Sequence, residues 1–143
     1  MIEENIALIA NYFWKESIKN INQTLSDAQM SNFNMNDYYY LTEIHQLGTP
    51  KLGEVATRLN LTKPAISALV KRLEKNELIV KSQSKEDKRV YYLNLTDKGI
   101  KIIQGDNQLY SKVSSIFSNS VTEQEANSID NLLKKVVKIF EEQ

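Results

Sequence analysis

Five successive residues, Lys85, Glu86, Asp87, Lys88 and Arg89, are charged in a stretch that otherwise alternates apolar and polar side chains. Within it, Asp87 and Arg89 stand two apart, close enough for a carboxylate to hold a guanidinium in one direction. A second cationic set lies upstream, with Lys63, Lys71 and Arg72 spread among the small residues Pro64, Ser67 and Ala68. These groups suit electrostatic capture of a polyanion better than the making or breaking of bonds. With one histidine, no cysteine, no glycine-rich phosphate loop and no paired-metal spacing, the sequence offers an enzyme little. The lone His45 has no second histidine or cysteine to complete a transition-metal site, so neither metal nor cofactor is expected.

The charge is unevenly spread, although the formal net charge is zero. Residues 1–50 carry two basic and six acidic side chains, residues 51–98 eleven and six, and residues 99–143 five and six. The middle third is basic between acidic flanks, which favours a local anionic partner over general adhesion. At 143 residues the chain reads as one domain with a real core. The absence of cysteine fits a reducing compartment, and Glu3 and Glu4 stand where a secretory signal would be basic. No apolar run approaches a membrane span, so a cytoplasmic protein with no membrane partner is expected.

The elements that must position the charges follow from periodicity. Ile2, Ile6, Ile9 and Phe13, then Trp14, Ile18, Ile21 and Leu25, repeat at helical spacing and predict a long first helix. Asn36 reads as the N-cap of a second helix over 37–47, with Tyr38, Leu41 and Ile44 on one face. A short helix over 52–59, a turn at Asn60-Leu61 and a helix capped by Thr62 come next, Pro64 falling in its first turn, where no N–H is needed. Ile66, Leu69, Val70 and Leu73 must then face the core, which leaves Pro64, Ser67, Ala68, Lys71 and Lys75 outward. Residues 78–83 and 90–95 read as a hairpin whose tip is Ser84–Arg89. Thr96 caps a further long helix, and Thr122 with Glu125 forms a capping box for the last. The expected fold is mainly α with a small two-stranded β-wing.

A short helix, a tight turn, a second helix with a small and basic outer face, and a charged hairpin have the layout of a winged helix-turn-helix. The major groove of B-form DNA admits one helix, and small residues let its backbone approach the base edges. A hairpin carrying Lys85, Lys88 and Arg89 can lie along the duplex and put one guanidinium into the minor groove. Arg72, nearer the side of the helix, could contact a phosphate or pair with a surface carboxylate.

The stretch from Leu52 through Gly99 resembles the MarR family of bacterial transcriptional regulators, in LGEVATRLNLTKPAISALVKRLEKNELI, in Asp87-Lys88-Arg89 and in the closing LTDKG. The order of helices is similar over essentially the whole chain. The resemblance implies an intertwined homodimer with long terminal helices. Residues 1–30 and 100–143 would dimerise, and residues 36–98 would form the DNA-binding winged part, all within one domain spanning 1–143. Two reading heads would sit on successive turns of a palindromic operator in double-stranded DNA. By the same resemblance Arg89 is similar to a wing arginine that enters the minor groove and Asp87 to the acid that directs it. Lys63, Pro64, Ser67, Ala68 and Lys71 fall where such proteins meet bases and phosphates. Glu77 stands where the family commonly has glycine, and a left-handed backbone there would be strained.

The outward helix face carries no Arg, Asn or Gln to make a bidentate base contact, so an A·T-rich operator read largely through groove shape is expected. Ile6, Ile9, Phe13, Leu132, Leu133, Val136 and Phe140 lie on apolar stripes longer than one small domain covers and are the expected dimer interface. Tyr12, Phe13 and Trp14, with Tyr38, Tyr39 and His45, either belong to the core or line a pocket. Proteins of this resemblance take phenolic or lipophilic effectors between the dimer helices and the winged part. The competing reading is a winged-helix protein-interaction module that binds no DNA.

Overall fold

The computed structural model describes residues 1–142. Seven helices and two strands follow one another as α1 (Ile2–Thr24), α2 (Asp27–Met30), α3 (Met35–Gln46), α4 (Leu52–Arg58), α5 (Lys63–Lys75), β1 (Ile79–Gln83), β2 (Tyr91–Leu95), α6 (Asp97–Ser120) and α7 (Glu123–Glu141). Two compact units divide the chain, one from Met1 to Asp106 and one from Asn107 onward. The first helix belongs to the unit that holds the winged part.

Local chemistry sets most element ends. Thr62 accepts from the Ala65 N–H and caps α5, and Pro64 lies in its first turn as expected. Thr122 and Glu125 form the expected capping box on α7, and hydrogen bonds from the Thr122 N–H and hydroxyl hold the Glu125 carboxyl below its ordinary range. Two features differ from the sequence reading. Ser26 and Gln29 cap each other to make α2, a single turn inside a segment too polar to show periodicity. The N-cap of α3 is Asn34, two residues before Asn36, because Asn34 and Asp37 satisfy each other's backbone N–H groups across the first turn.

The core of the first unit gathers Leu41 and Ile44 of α3, Val55 of α4, Ile66, Leu69, Val70 and Leu73 of α5, Ile79 and Leu93 of the sheet, and Ile102 and Ile103 of α6. Burying these side chains, each worth roughly 1.5–3 kcal/mol, fixes the outer face of α5 by elimination. The strands pair antiparallel with Ile79 opposite Leu95 and Gln83 opposite Tyr91. A one-residue bridge joins Lys51 to Tyr92, and the Leu93 N–H donates to the Pro50 carbonyl at 2.9 Å, so the chain entering α4 lies against the wing's base.

Behind the hairpin, Thr96 caps α6 by accepting from the Gly99 N–H and gives its hydroxyl to the Glu77 carbonyl at 2.6 Å. Gly99 lies so close to the Leu78 carbonyl that a Cβ would approach its oxygen to 2.2 Å. The LTDKG motif thus needs its threonine for the cap and its glycine for contact with backbone. Glu77 does adopt the left-handed conformation, with φ of 59°. Its side chain receives Gln29 Nε2 at 3.1 Å and Lys98 Nζ at 3.2 Å, a clamp from α2 and α6 where a glycine would need none.

Among the described residues no helix is long and apolar enough to cross a membrane. In the unit after Asn107, Leu132, Leu133, Val136, Val137, Ile139 and Phe140 of α7 are all exposed.

Candidate nucleic-acid interface

Helix α5 shows the sided composition that its periodicity requires. Ile66, Leu69, Val70 and Leu73 are buried, while Pro64, Ser67, Ala68 and Lys71 are exposed on the opposite face and Lys63 is exposed at the start of the helix. The start of this face is narrow, because Pro64, Ser67 and Ala68 are short, and Lys63 and Lys71 place a positive charge at each end of it. A narrow cationic ridge is what a groove flanked by phosphates accepts.

The wing tip is built by its own side chains. Ser84 Oγ accepts from the Glu86 and Asp87 N–H groups at 3.2 and 3.3 Å, and the Val90 N–H donates to the Asp87 carbonyl at 2.9 Å. Gln83 Nε2 donates to the Lys88 carbonyl at 2.6 Å. Asp87 Oδ1 then takes the Arg89 N–H at 2.9 Å and Arg89 Nε at 3.3 Å. These two bonds, the backbone one first, hold the Asp87 carboxyl below its ordinary range. Arg89 is 91% exposed, so the carboxylate orients a guanidinium that otherwise stands in solvent beside exposed Lys85 and Lys88.

Arg72 is the correction in this region. Its guanidinium forks onto Asp37, with Nε 3.1 Å from both carboxylate oxygens and Nη2 2.5 Å from Oδ1. Asp37 is fully buried, so the carboxylate that pairs with Arg72 is an interior one and not a surface one. The bonds to Asp37 raise the arginine's pKa further above its ordinary value. Arg72 ties α5 to α3. The pattern missed it because periodicity alone places an aspartate outside, and the Asn34-x-x-Asp37 spacing marks a helix start without saying that the acid is buried.

Sequence reasoning also missed Lys51. An open groove of about 450 Å³ runs between the start of α4 and the base of the wing, lined by Lys51, Leu52, Gly53, Glu54, Arg89, Val90 and Tyr91. Exposed Lys51 and Arg89 put two cations on its rim.

The six aromatic and imidazole residues suggested as core or pocket differ in their surroundings. Tyr12, Trp14, Tyr39 and His45 are exposed, Phe13 packs edge-on against Tyr12, and Tyr38 donates its phenol to Asp106. A separate open hollow of about 270 Å³ does exist in the first unit, lined by Trp14, Ile18, Ile21, Met30, Phe33, Asn34 and Met35. Trp14 alone of the suggested set reaches it. Ile18 and Ile21 of α1 line it as well, and the remaining residues, Met30 and Phe33 to Met35, come from the α2–α3 segment, whose short helix carried no periodic signal. Among the described residues no three His, Cys, Asp or Glu side chains are grouped to hold a metal ion. Ile6, Ile9, Leu132, Leu133, Val136 and Phe140 are exposed and Phe13 is half-buried.

A short helix, a turn, a sided second helix and an arginine-tipped hairpin, with helices before and after, define a winged helix-turn-helix protein. The MarR family model matches residues 33–91, which run from just before α3 to the start of β2 and include α4, α5, β1 and the wing tip. By this match that segment is similar to the MarR family. The HTH-type transcriptional regulator MgrA of Staphylococcus aureus is 28% identical over 126 residues, covering 87% of this chain and 84% of its own. The HTH-type transcriptional regulator YkoM of Bacillus subtilis is 28% identical over 100 residues, which span 68% of this chain and 65% of its own length. The fold matches S. aureus MepR bound to ethidium bromide with a TM-score of 0.70 at 19% identity, over 98% of this chain and 96% of that one. A MepR point mutant bound to an oligodeoxyribonucleotide matches at 0.65 and 18%, over 98% of both chains. YusO of B. subtilis matches at 0.66 and 21%, over 96% and 92%.

Proposed function

We propose that the chain is a transcriptional regulator that binds palindromic, A·T-rich operators in double-stranded DNA as a homodimer and represses by occupying them. The observation that carries this reading is the pairing of two exposed cationic devices on one unit. One is the narrow α5 face of Lys63, Ser67 and Lys71, and the other is the wing tip with Arg89 directed by Asp87. Lys85 and Lys88 add phosphate contacts, and Pro64 and Ala68 meet thymine methyls. The oligodeoxyribonucleotide bound to a MepR mutant supports the same partner.

The homodimer rests on the exposed apolar residues of α1 and α7, too many for a free surface. Ile6, Ile9, Phe13, Leu132, Leu133, Val136 and Phe140 form the contact between copies, and a two-fold axis sets the reading heads about 34 Å apart, one turn of DNA. A phenolic or lipophilic effector enters the hollow beside Trp14 and Phe33 and releases the operator by binding the DNA-incompetent arrangement more tightly. The ethidium bound to MepR supports a small-molecule ligand in this fold.

Selection of binding sites from random duplexes tests the proposal. It should return inverted A·T-rich half-sites about one turn apart. Recovery of a G·C-rich core half-site, or of no duplex at low ionic strength, would overturn it.

A further inference from the structure

Two neighbouring residues of α3 reach opposite parts of the first unit. Asp37 holds Arg72 of the recognition helix α5 and also accepts from the Asn34 N–H at 3.0 Å. Tyr38, the next residue, donates its phenol to Asp106 Oδ2 on α6. The other oxygen of that buried carboxylate takes Ser17 Oγ of α1 at 2.5 Å. One turn further along α1, Asn20 Nδ2 donates to the Ile102 carbonyl of α6 at 3.1 Å. Gly105 lies so near that a Cβ there would come within 2.1 Å of Asn20 Nδ2. Helices α1 and α6 are thus closely joined around Asp106, and α3 is tied to that joint on one side and to α5 on the other.

We propose that α3, through Tyr38 and Asp37, couples the seating of α1 against α6 to the orientation of the recognition helix. Residues 37 and 38 share one helical backbone, so a displacement of the Tyr38 phenol carries the Asp37 carboxylate with it. Asp37 in turn grips Arg72, which adjoins Lys71 on the reading face. Packed interiors answer small displacements by shifting between discrete arrangements, not by stretching. Tyr38, Asp106 and Ser17 are positioning residues in this account, since none belongs to the exposed cationic face. Asn34, which shares the Asp37 carboxylate, lines the hollow beside Trp14, so a guest there acts on the same element. The consequence for DNA reading rests on the function proposed above, whereas the mechanical coupling does not.

Tyr38→Phe in the full chain keeps the ring and removes the hydroxyl. Amide hydrogen exchange without DNA should quicken at least tenfold in residues 70–75 of α5, beyond any change in α4 and β2. Tyr39→Phe, on an exposed ring, should leave α5 unchanged. In the double variant with Asp37→Asn the effects on α5 should fail to add, because both cut one chain of contacts. Quickening confined to α1, α3 and α6, or uniform over the unit, would overturn the coupling. Ser17→Ala releases the same carboxylate from its other side and decides the matter if Tyr38→Phe does not fold. On a selected operator duplex, Tyr38→Phe should weaken binding at least fivefold with an unchanged salt slope; an unchanged affinity would also overturn the coupling. If the wild-type chain binds no duplex, the DNA reading fails while the exchange result still decides the coupling.

Discussion

Replacing Asp37 by alanine removes the acid that holds α5 against α3 and leaves the Arg72 guanidinium without its fork. Removing one member of a buried ion pair costs about 3–5 kcal/mol when the other charge stays buried. Arg72 is 32% exposed and can turn its head to water, which brings that part down to roughly 2–3 kcal/mol. The Asn34 N–H also loses its acceptor, adding on the order of 1 kcal/mol. The total, roughly 3–4 kcal/mol, should lower the melting temperature of a domain of this size by on the order of 10 °C. Urea unfolding measures it, with the midpoint moving and the slope constant if the unfolded state is unaffected. A loss below about 1 kcal/mol, the range of exposed pairs, would refute the assignment of Arg72 to a buried fork.

Arg89→Ala should leave the melting temperature unchanged, because the side chain stands in solvent, while weakening duplex binding about tenfold to a hundredfold and relaxing discrimination against G·C flanks. Fluorescence anisotropy on A·T- and G·C-flanked duplexes reads both effects. Gly99→Ala drives a methyl into the Leu78 carbonyl and should cost roughly 3 kcal/mol in urea unfolding, the upper part of the range for overpacking. Glu77→Gly exchanges left-handed strain for the loss of a clamp on a side chain that is 73% exposed. It should raise stability by roughly 0.5–1 kcal/mol, and a fall would mean that the Gln29 and Lys98 contacts outweigh the strain. The Asp87 carboxyl, stabilised as the anion, should titrate below its ordinary 3.8. Its hold on the wing is therefore complete above that pH and lost as pH falls through the lower folded value. Carboxyl-carbon NMR should show a midpoint that moves up only partway in Arg89→Ala, since the backbone N–H is the larger cause.

Much of this architecture was legible because it obeys period and cap rules. The buried stripe of α5, the threonine caps at 62, 96 and 122, and the strand–tip–strand rhythm of the wing are all local signals. What stayed hidden was non-local or too short to repeat. Arg72 meets Asp37 across 35 positions and Tyr38 meets Asp106 across 68, and no periodicity announces that an acid is turned inward. The single turn of α2 offers no stripe, yet it supplies Met30 to the hollow and Gln29 to the Glu77 clamp. The aromatic runs at 12–14 and 38–40 divide between core and surface for the complementary reason. Neighbours on a helix point in different directions, so Tyr38 and Tyr39 part ways although adjacent.

The central claim is that two copies of one cationic unit grip one duplex. Sedimentation of the chain with a fluorescent duplex bearing two A·T-rich half-sites, repeated over a series of salt concentrations, tests it most directly. Two chains should travel with each duplex. The cations at 63, 71, 85, 88 and 89 from both copies should make the logarithm of affinity fall with the logarithm of salt at a slope of about −6 to −9. A chain that sediments as a single subunit, or binding that ignores salt, would contradict the account.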